Sequence, residues 1–275
     1  MPRQELCVNR VRREQRTGCE GIDRVRHGSR LQTCEPKGRL ASSADGSRVS
    51  IVLGMMARAP VPGRCKTRLA AAIGDAAAAR LYAAMIADSI DAYSRAGAKR
   101  NVVIAAPEHD GVRALQAVVP RSWEVISQAG GELGERLANA FRALKTDGAA
   151  VVLVGSDSPT VPIRPVAEAF DRLHGGGRVL IGPTDDGGYY LIGLTTLELE
   201  IVRHIPWSTH RVLETTLAAC AALSLTAELL PRWYDVDDAK DLERLCAELL
   251  QQPARAPRCA TALRALGLLE AKCNR

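Results

Sequence analysis

The stretch VSIVLGMMARAPVPGRCKTRLAAAIG, residues 49–74, carries the strongest signals for the fold. It opens with the apolar run VSIVLGMM, which predicts a strand buried in a sheet. An alanine-rich run that favours a helix follows Thr67, and Pro60, Pro62 and Gly63 fix the loop between the two. A strand, a short loop and a helix in this order are typical of an α/β domain.

The same loop concentrates positive charge. Its cations are Arg58, Arg64, Lys66 and Arg68. Because ligands of parallel sheets bind beyond the carboxyl ends of the strands, cations in this position are typical of a phosphate-binding site. A cap at Thr67 would add the positive end of the following helix to that site. The alternative is a solvated turn whose long side chains reach water.

Strand and helix patterns alternate through the rest of the chain. The apolar runs NVVIAAP, AAVVLVG, RVLIGP and YYLIGL predict further strands, and the longer runs between them predict helices. AAVVLVG is uniformly apolar, which predicts a strand covered on both faces. Alternation with short connections predicts an α/β fold with a mainly parallel sheet.

The composition is that of a globular protein. Hydrophobic residues make up 47% of the 275 residues and aromatic residues only 4%, so aliphatic side chains must fill the core. No apolar run approaches the roughly 18 residues that cross a membrane. The eight cysteines show neither C-x-x-C nor metal-like spacing. We therefore expect a cytoplasmic protein with reduced thiols and no membrane span.

The charge is distributed unevenly along the chain. Residues 1–48 hold eleven Lys or Arg and six Asp or Glu, so they account for five of the six net positive charges. The nearly neutral remainder argues against a nucleic-acid partner. Residues 1–48 lack apolar periodicity, and we expect a disordered basic extension there. The expected domain spans residues 49–250, and a C-terminal tail with room for a short helix spans residues 251–275.

Carboxylates follow three of the later strands. Asp157 follows AAVVLVG, Asp185 and Asp186 follow RVLIGP, and the segment DVDD ends at Asp238. Carboxylate oxygens beside a cationic loop are typical of a Mg²⁺ or Mn²⁺ site that bridges to phosphate. Asp157 and Asp237 are the candidate metal ligands, and the alternative for Asp157 is a turn before the next proline. Asp238 has the position of a helix N-cap.

The acceptor side of the site has weaker candidates. Neighbouring side chains on an extended segment point in opposite directions, so only one of Asp185 and Asp186 is expected to face a ligand. Asp186 is the candidate to orient or deprotonate an acceptor. Gly187 and Gly188 either allow close approach of a ligand or only make a turn. Trp207 either stacks on a base or sugar or packs as a hydrophobic staple. Further candidates for substrate contact are Asp185 and Ser208.

Six motifs, in chain order, carry a resemblance to a known family. They are ARAPVPGRCKTRL, GGELGERLANAF, VGSDSPTVP, GPTDDGGYYLIGL, IPWSTHRVLETTL and YDVDDAKDLERL. Together they resemble the bacterial DUF2064 group, identified as arsenosugar-biosynthesis-type glycosyltransferases of the nucleotide-diphospho-sugar transferase (GT-A) superfamily. The resemblance spans residues 50–247. It implies a Rossmann-like three-layer α/β/α sandwich and assigns Asp157 to the metal-binding, D-x-D-like position.

We therefore expect a metal-dependent transferase with a nucleotide-activated donor, a small-molecule acceptor and Mg²⁺ or Mn²⁺ as cofactor. Glycosyl transfer is the first hypothesis, with Gly130, Gly131 and Gly134 allowing a loop to fold over the nucleoside. The superfamily also contains guanylyltransferase-like nucleotidylyltransferases, whose basic loop after the first strand resembles Arg64, Lys66 and Arg68 and grips a nucleoside triphosphate. Nucleotidyl transfer therefore stays open. A nucleotide-sensing module without turnover is a third hypothesis, but it would not need acids at three strand ends.

Overall fold

The computed structural model describes residues 49–108, 110–173 and 176–269, so the predicted extension at residues 1–48 lies outside it. Within these ranges the chain forms one seven-stranded sheet with helices on both faces. The strands are β1 (Ser50–Ala57), β2 (Arg100–Ala105), β3 (Glu124–Ser127), β4 (Ala149–Gly155), β5 (Arg178–Pro183), β6 (Tyr189–Leu194) and β7 (Thr226–Leu229). The helices are α1 (Thr67–Ile73), α2 (Asp75–Tyr93), α3 (Gly111–Gln116), α4 (Leu133–Leu144), α5 (Ile163–Arg172), α6 (Glu200–Arg203), α7 (Val212–Ala222), α8 (Ala239–Gln251) and α9 (Pro257–Ala265). A single 3₁₀ turn, Pro253–Arg255, connects α8 to α9.

The sheet has the strand order β3-β2-β1-β4-β6-β5-β7. Strand β6 runs antiparallel to both of its neighbours, β4 and β5, whereas the other pairings are parallel. The prediction of a mainly parallel α/β sheet is therefore confirmed. Because β1 to β4 are mutually parallel, the loops that leave their carboxyl ends meet at one edge of the sheet.

Strand β1 shows why the sheet is covered on both faces. Ile51, Leu53 and Met55 belong to a core shared with α1, α2, α5, α8 and α9, whereas Val52 belongs to a second core shared with α4, α6 and α7. Side chains of a strand alternate between its faces, so a helical layer on each side buries both sets. This arrangement is the predicted three-layer α/β/α sandwich.

Residues 251–269 pack into this domain and do not form a separate tail. The buried carboxylate of Asp88 on α2 accepts hydrogen bonds from the backbone N–H groups of Arg258 (3.1 Å) and Cys259 (2.8 Å), and so caps α9 from outside. Cys259, Leu263 and Leu269 are buried in the core that contains β1. The domain boundary predicted at residue 250 is therefore too early, because the packed core continues to Leu269.

The sequence predicts that the protein has no membrane span and that its thiols are reduced. None of the helices in the described ranges is long and apolar enough to span a bilayer. The described cysteines Cys65, Cys220, Cys246 and Cys259 carry free thiols.

Candidate active site

A cleft of about 420 Å³ opens at the carboxyl ends of β1 to β4. Its walls come from the loop after β1, the first turn of α1, the ends of the β3–α4 connection and the residues that follow β4. The sequence-predicted residues that line it are Arg58, Lys66, Arg68, Asp157 and Asp237. The fold thus brings three of the four predicted phosphate-binding cations and the two candidate metal ligands to one cavity.

Tyr82 of α2 connects two parts of the cavity lining. Its hydroxyl accepts a hydrogen bond from the backbone N–H of Arg58 (3.1 Å) and lies 2.8 Å from the hydroxyl of Ser156. The ends of β1 and β4 are therefore linked through one side chain. Burial raises the pKa of Tyr82 to about 12, so the phenol is neutral at physiological pH. The sequence patterns did not single out Tyr82, because it lies in the middle of a helix.

The cationic loop ends in an unusual backbone conformation at Lys66. Lys66 has φ 48° and ψ 45°, in the left-handed region, and is the N-cap of α1 without a side-chain cap. Thr67 is the first residue of that helix, so the interpretation of Thr67 as its cap is wrong. The preceding Cys65 is only 2% exposed and anchors the loop in the core. The loop is therefore fixed on either side of the point where the Lys66 side chain leaves it.

Lys66 lies between the two candidate metal ligands. Its Nζ is 2.5 Å from Oδ1 of Asp157 and 2.7 Å from Oδ1 of Asp237, and its side chain is only 6% exposed. Burial by itself lowers the pKa of Lys66, but the carboxylates of Asp157 and Asp237 outweigh burial and raise it. Arg68 adds a second cation at Asp237, with Nη2 2.6 Å from Oδ2. Lys66 was predicted to bind phosphate, and here its partners are carboxylates.

The two carboxylates suit a divalent cation. Their Oδ1 atoms converge on one ammonium group, so both can face a single cation. Mg²⁺ is commonly bound through one or two carboxylates together with substrate phosphates and water. Within the described residues there is no cluster of three or more His, Cys, Asp or Glu side chains that could hold a metal ion. A metal at Asp157 and Asp237 would therefore need phosphate or water oxygens to complete its coordination.

A third carboxylate, Asp235, lies close enough to this pair to feel the charge of both. The backbone N–H of Val236 donates to the carbonyl of Asp157 (2.8 Å), which fixes the DVDD segment against the end of β4. Asp235 accepts a hydrogen bond from the hydroxyl of Ser158. Burial and the nearby charge of Asp157 raise the pKa of Asp235 to about 7, although the Ser158 hydrogen bond lowers it. Its alternation with Asp237 along the chain was visible in the sequence, but its burial was not.

Asp238 has the role that its position predicted. Its side chain accepts from the backbone N–H groups of Lys240 (2.9 Å) and Asp241 (3.1 Å), and Asp241 completes a capping box at the start of α8. Neighbouring aspartates therefore have different partners, because Asp237 faces Lys66 and Asp238 faces its own helix.

The connection between β3 and α4 forms the opposite wall of the cleft. Gln128 and Arg136 line the cavity, and Arg136 Nε donates to the carbonyl of Gly131 (2.6 Å). Arg136 lies inside the GGELGERLANAF motif, which was the signal that could have identified it. Gly131 has φ 113°, a conformation that favours glycine. The role of this loop over a nucleoside stays a prediction.

Gly134 has a packing explanation, and Gly130 has none. A Cβ added at Gly134 would lie 2.4 Å from the carbonyl oxygen of Val202 and 2.8 Å from Nε1 of Trp207. Any side chain there would therefore separate α4 from α6 and the segment after it. A Cβ at Gly130 would meet nothing within 4 Å.

The TDDGG loop does not line the cleft. Asp186 accepts from the Thr184 hydroxyl (2.6 Å) and from the backbone N–H of Gly188 (3.0 Å), so it closes its own turn. Asp185 forms an ion pair with Arg244 at 2.6 Å. Gly187 has φ 91°, and a Cβ there would lie 2.2 Å from the carbonyl oxygen of His210. These contacts favour the turn interpretation, and the predicted part of Asp186 in handling an acceptor stays a prediction.

Trp207, Ser208 and Arg64 also lie outside the cleft lining. Trp207 packs edge-on against Tyr189, with ring centroids 5.9 Å apart, and Ser208 is exposed with φ 63°. The exposed side chain of Arg64 makes no hydrogen bond or ion pair within the part of the chain that the structure describes. Arg64 is therefore available to an incoming anion, whereas Lys66 and Arg68 already have partners.

Comparisons with known proteins agree with this architecture. The profile of a family described as "Uncharacterized protein conserved in bacteria (DUF2064)" matches residues 89–209. A solved structure from Desulfovibrio desulfuricans G20, provisionally assigned as a nucleotide-diphospho-sugar transferase, is 30% identical with a TM-score of 0.72 and covers 80% of this chain and 96% of its own. A nucleotidyl transferase from Methanothermobacter thermautotroptrophicus is 14% identical with a TM-score of 0.50 and covers 74% of this chain and 98% of its own, which shows the fold alone. A search of curated proteins found no match.

The fold and the cleft therefore define the class: this is an α/β protein with the fold of the nucleotide-diphospho-sugar transferases. Within that class the chain belongs to the DUF2064 family, as its six motifs indicated.

Proposed function

We propose that the protein is a metal-dependent transferase that uses a nucleotide-activated donor, with glycosyl transfer as its reaction. The observation that carries this proposal is the convergence of Lys66 and Arg68 with Asp157 and Asp237 in one cleft at the carboxyl ends of the parallel strands. Cations suit the phosphates of such a donor, and paired carboxylates suit the metal that accompanies phosphates. The 30% identical relative, provisionally assigned as a nucleotide-diphospho-sugar transferase, supports the same class of donor.

The residues of the cleft divide the work of binding such a donor. Arg58 and Arg68 line the cleft and would bind and orient phosphate oxygens. Arg64, on the same loop but outside the cleft lining, would add a further cation for the phosphates. Asp157 and Asp237 would hold Mg²⁺ or Mn²⁺. When bound, such an ion stabilises the negative charge that develops on a leaving phosphate. Tyr82 keeps the two strand ends at a fixed separation, so that cations and carboxylates face one ligand.

Nucleotidyl transfer is the second candidate, and one feature of the loop favours it. Arg64 has no partner among the described residues, and Arg58 presents a further guanidinium at the cavity wall. This positive charge exceeds what pairs with the carboxylates. A nucleoside triphosphate carries one more phosphate than the diphosphate of a sugar nucleotide, and it would use the additional cations.

The products of turnover distinguish the candidates. Purified protein is incubated with Mn²⁺ and radiolabelled sugar nucleotides or nucleoside triphosphates, with an extract of small-molecule acceptors. Glycosyl transfer releases a nucleoside diphosphate, whereas nucleotidyl transfer releases pyrophosphate. The Asp157→Asn variant is the control and should lose either activity with its fold intact. Binding without release of either product would support a sensing module, and no binding of any donor would refute the proposal.

A further inference from the structure

The ion pairs of the buried Lys66 side chain with two half-exposed carboxylates have a consequence for the order in which ligands bind. In the structure, the ammonium of Lys66 neutralises the two carboxylates on which the proposed metal site depends. A metal bound to the same Oδ1 atoms would lie about 2 Å from each of them. Nζ already contacts both of these Oδ1 atoms, so Lys66 and a metal would compete for them.

Displacement of Lys66 needs a new partner for its charge. The Lys66 side chain is 6% exposed, and besides the two carboxylates it faces the ring of Tyr82, with Nζ 5.5 Å from the ring centroid. A free metal ion would therefore displace the ammonium of Lys66 from its ion pairs without supplying a new anion for it. A metal ion that arrives with a polyphosphate brings an anion that can accept Lys66.

The local geometry permits this exchange without refolding the loop. The loop is fixed before Lys66 by the buried Cys65, and it is fixed after Lys66 by helix α1. The long lysine side chain can then swing about its own rotatable bonds while the backbone stays in place. Arg68 contacts the other oxygen of Asp237 and is 70% exposed, so it can remain on Asp237 or reach a phosphate.

We propose that Lys66 is an internal counter-cation that excludes free divalent metal from Asp157 and Asp237, so that the site accepts the metal–polyphosphate complex as its ligand. This inference rests on the proposed function for the identity of the metal site. It adds that Lys66 determines which form of the metal binds, and that metal and polyphosphate bind with positive cooperativity.

The test measures binding of Mn²⁺ alone, by the electron paramagnetic resonance signal of the free ion, and binding of Mn²⁺ with inorganic tripolyphosphate, by calorimetry. Lys66→Met keeps the length of the side chain and removes its charge. We expect Lys66→Met to bind free Mn²⁺ roughly tenfold or more tighter than the wild type, and Mn²⁺–tripolyphosphate roughly tenfold weaker. Arg64→Met is the matched control: it removes a charge from the same loop without touching either carboxylate, and it should change free-Mn²⁺ affinity by no more than about threefold.

Free-Mn²⁺ affinity that is unchanged or weaker in Lys66→Met would overturn the inference, and so would an equal gain in Arg64→Met. A second measurement uses the wild-type chain and so does not depend on the stability of a variant. Lys66 should resist an amine-modifying reagent in the metal-free protein, become more reactive at saturating Mg²⁺, and regain protection when tripolyphosphate is added. If the reactivity of Lys66 toward the reagent does not change with Mg²⁺, the inference is also overturned. Tripolyphosphate carries no nucleoside, so this test does not depend on the binding of a nucleotide donor. If the results with Mn²⁺ and tripolyphosphate are as expected but no nucleotide donor binds, the proposed function is refuted and the inference about Lys66 stands.

Discussion

The neighbouring aspartates Asp237 and Asp238 allow a sharp test of the site. Asp237 accepts from Lys66 at 2.7 Å and Arg68 at 2.6 Å, whereas Asp238 caps α8. We predict that Asp237→Asn weakens Mn²⁺-dependent nucleotide binding strongly and that Asp238→Asn does not. The two variants remove the same charge at adjacent positions, so a general electrostatic effect would appear in both.

The expected magnitudes follow from the partners. Asp237→Asn removes the charge of one of the two proposed metal ligands. A charge-assisted contact contributes about 1.5–3 kcal/mol, which corresponds to a loss of affinity of about tenfold or more. Asp238→Asn should leave affinity within about twofold, because asparagine caps a helix as well as aspartate does. Asp238→Ala completes the comparison: it should lower the free energy of unfolding by about 1 kcal/mol and leave binding intact.

The assay is calorimetric titration with a nucleotide donor in the presence and absence of Mn²⁺, beside urea denaturation of each variant. Equal losses of affinity in Asp237→Asn and Asp238→Asn would refute the assignment of Asp237 to the metal. An affinity loss in Asp238→Ala would mean that the start of α8, and not one carboxylate, supports the site.

Three further predictions concern the packing and charge of the domain. Asp88→Ala leaves two N–H groups of α9 without an acceptor, so it should lower the free energy of unfolding by about 2–3 kcal/mol in urea denaturation. The control is Asp91→Ala, which removes an exposed partner of Arg258 and should lower the free energy of unfolding by less than about 1 kcal/mol. Asp235 has a pKa raised to about 7 from its ordinary 3.8, so the folded state retains a proton that the unfolded state releases, and stability contributed by this group is lost as pH rises through that window. With a metal chelator present, the melting temperature of Asp235→Asn minus that of the wild type should therefore increase from pH 4 to pH 8. If this difference in melting temperature does not change with pH, the raised pKa of Asp235 is contradicted. If the donor is a triphosphate, Arg64→Ala should weaken binding of a nucleoside triphosphate more than of the matching diphosphate, and equal losses would favour a sugar-nucleotide donor.

Features that depend on nearby residues were predictable from the sequence. The strand–helix alternation, the parallel sheet and the cap at Asp238 follow from patterns only a few residues long, and the structure contains each of them. The contacts that were missed join distant positions. Lys66 and Asp237 are 171 residues apart, and Arg258 and Asp88 are 170 residues apart. Nothing in a local pattern indicates that such residues meet, so the tail at residues 251–275 looked separate from the domain.

The same limit explains why Lys66 and the acids were first assigned to different ligands. Each strand end was interpreted from its own charge, which gave phosphate for the basic loop and metal for the acidic ones. The fold places them at one edge of the sheet, where the buried Lys66 pairs with the half-exposed carboxylates of Asp157 and Asp237. Lys66 and the carboxylates of Asp157 and Asp237 therefore neutralise each other in the structure. A ligand that carries both a cation and an anion can replace both partners of this pairing, because each protein charge then exchanges one counter-charge for another.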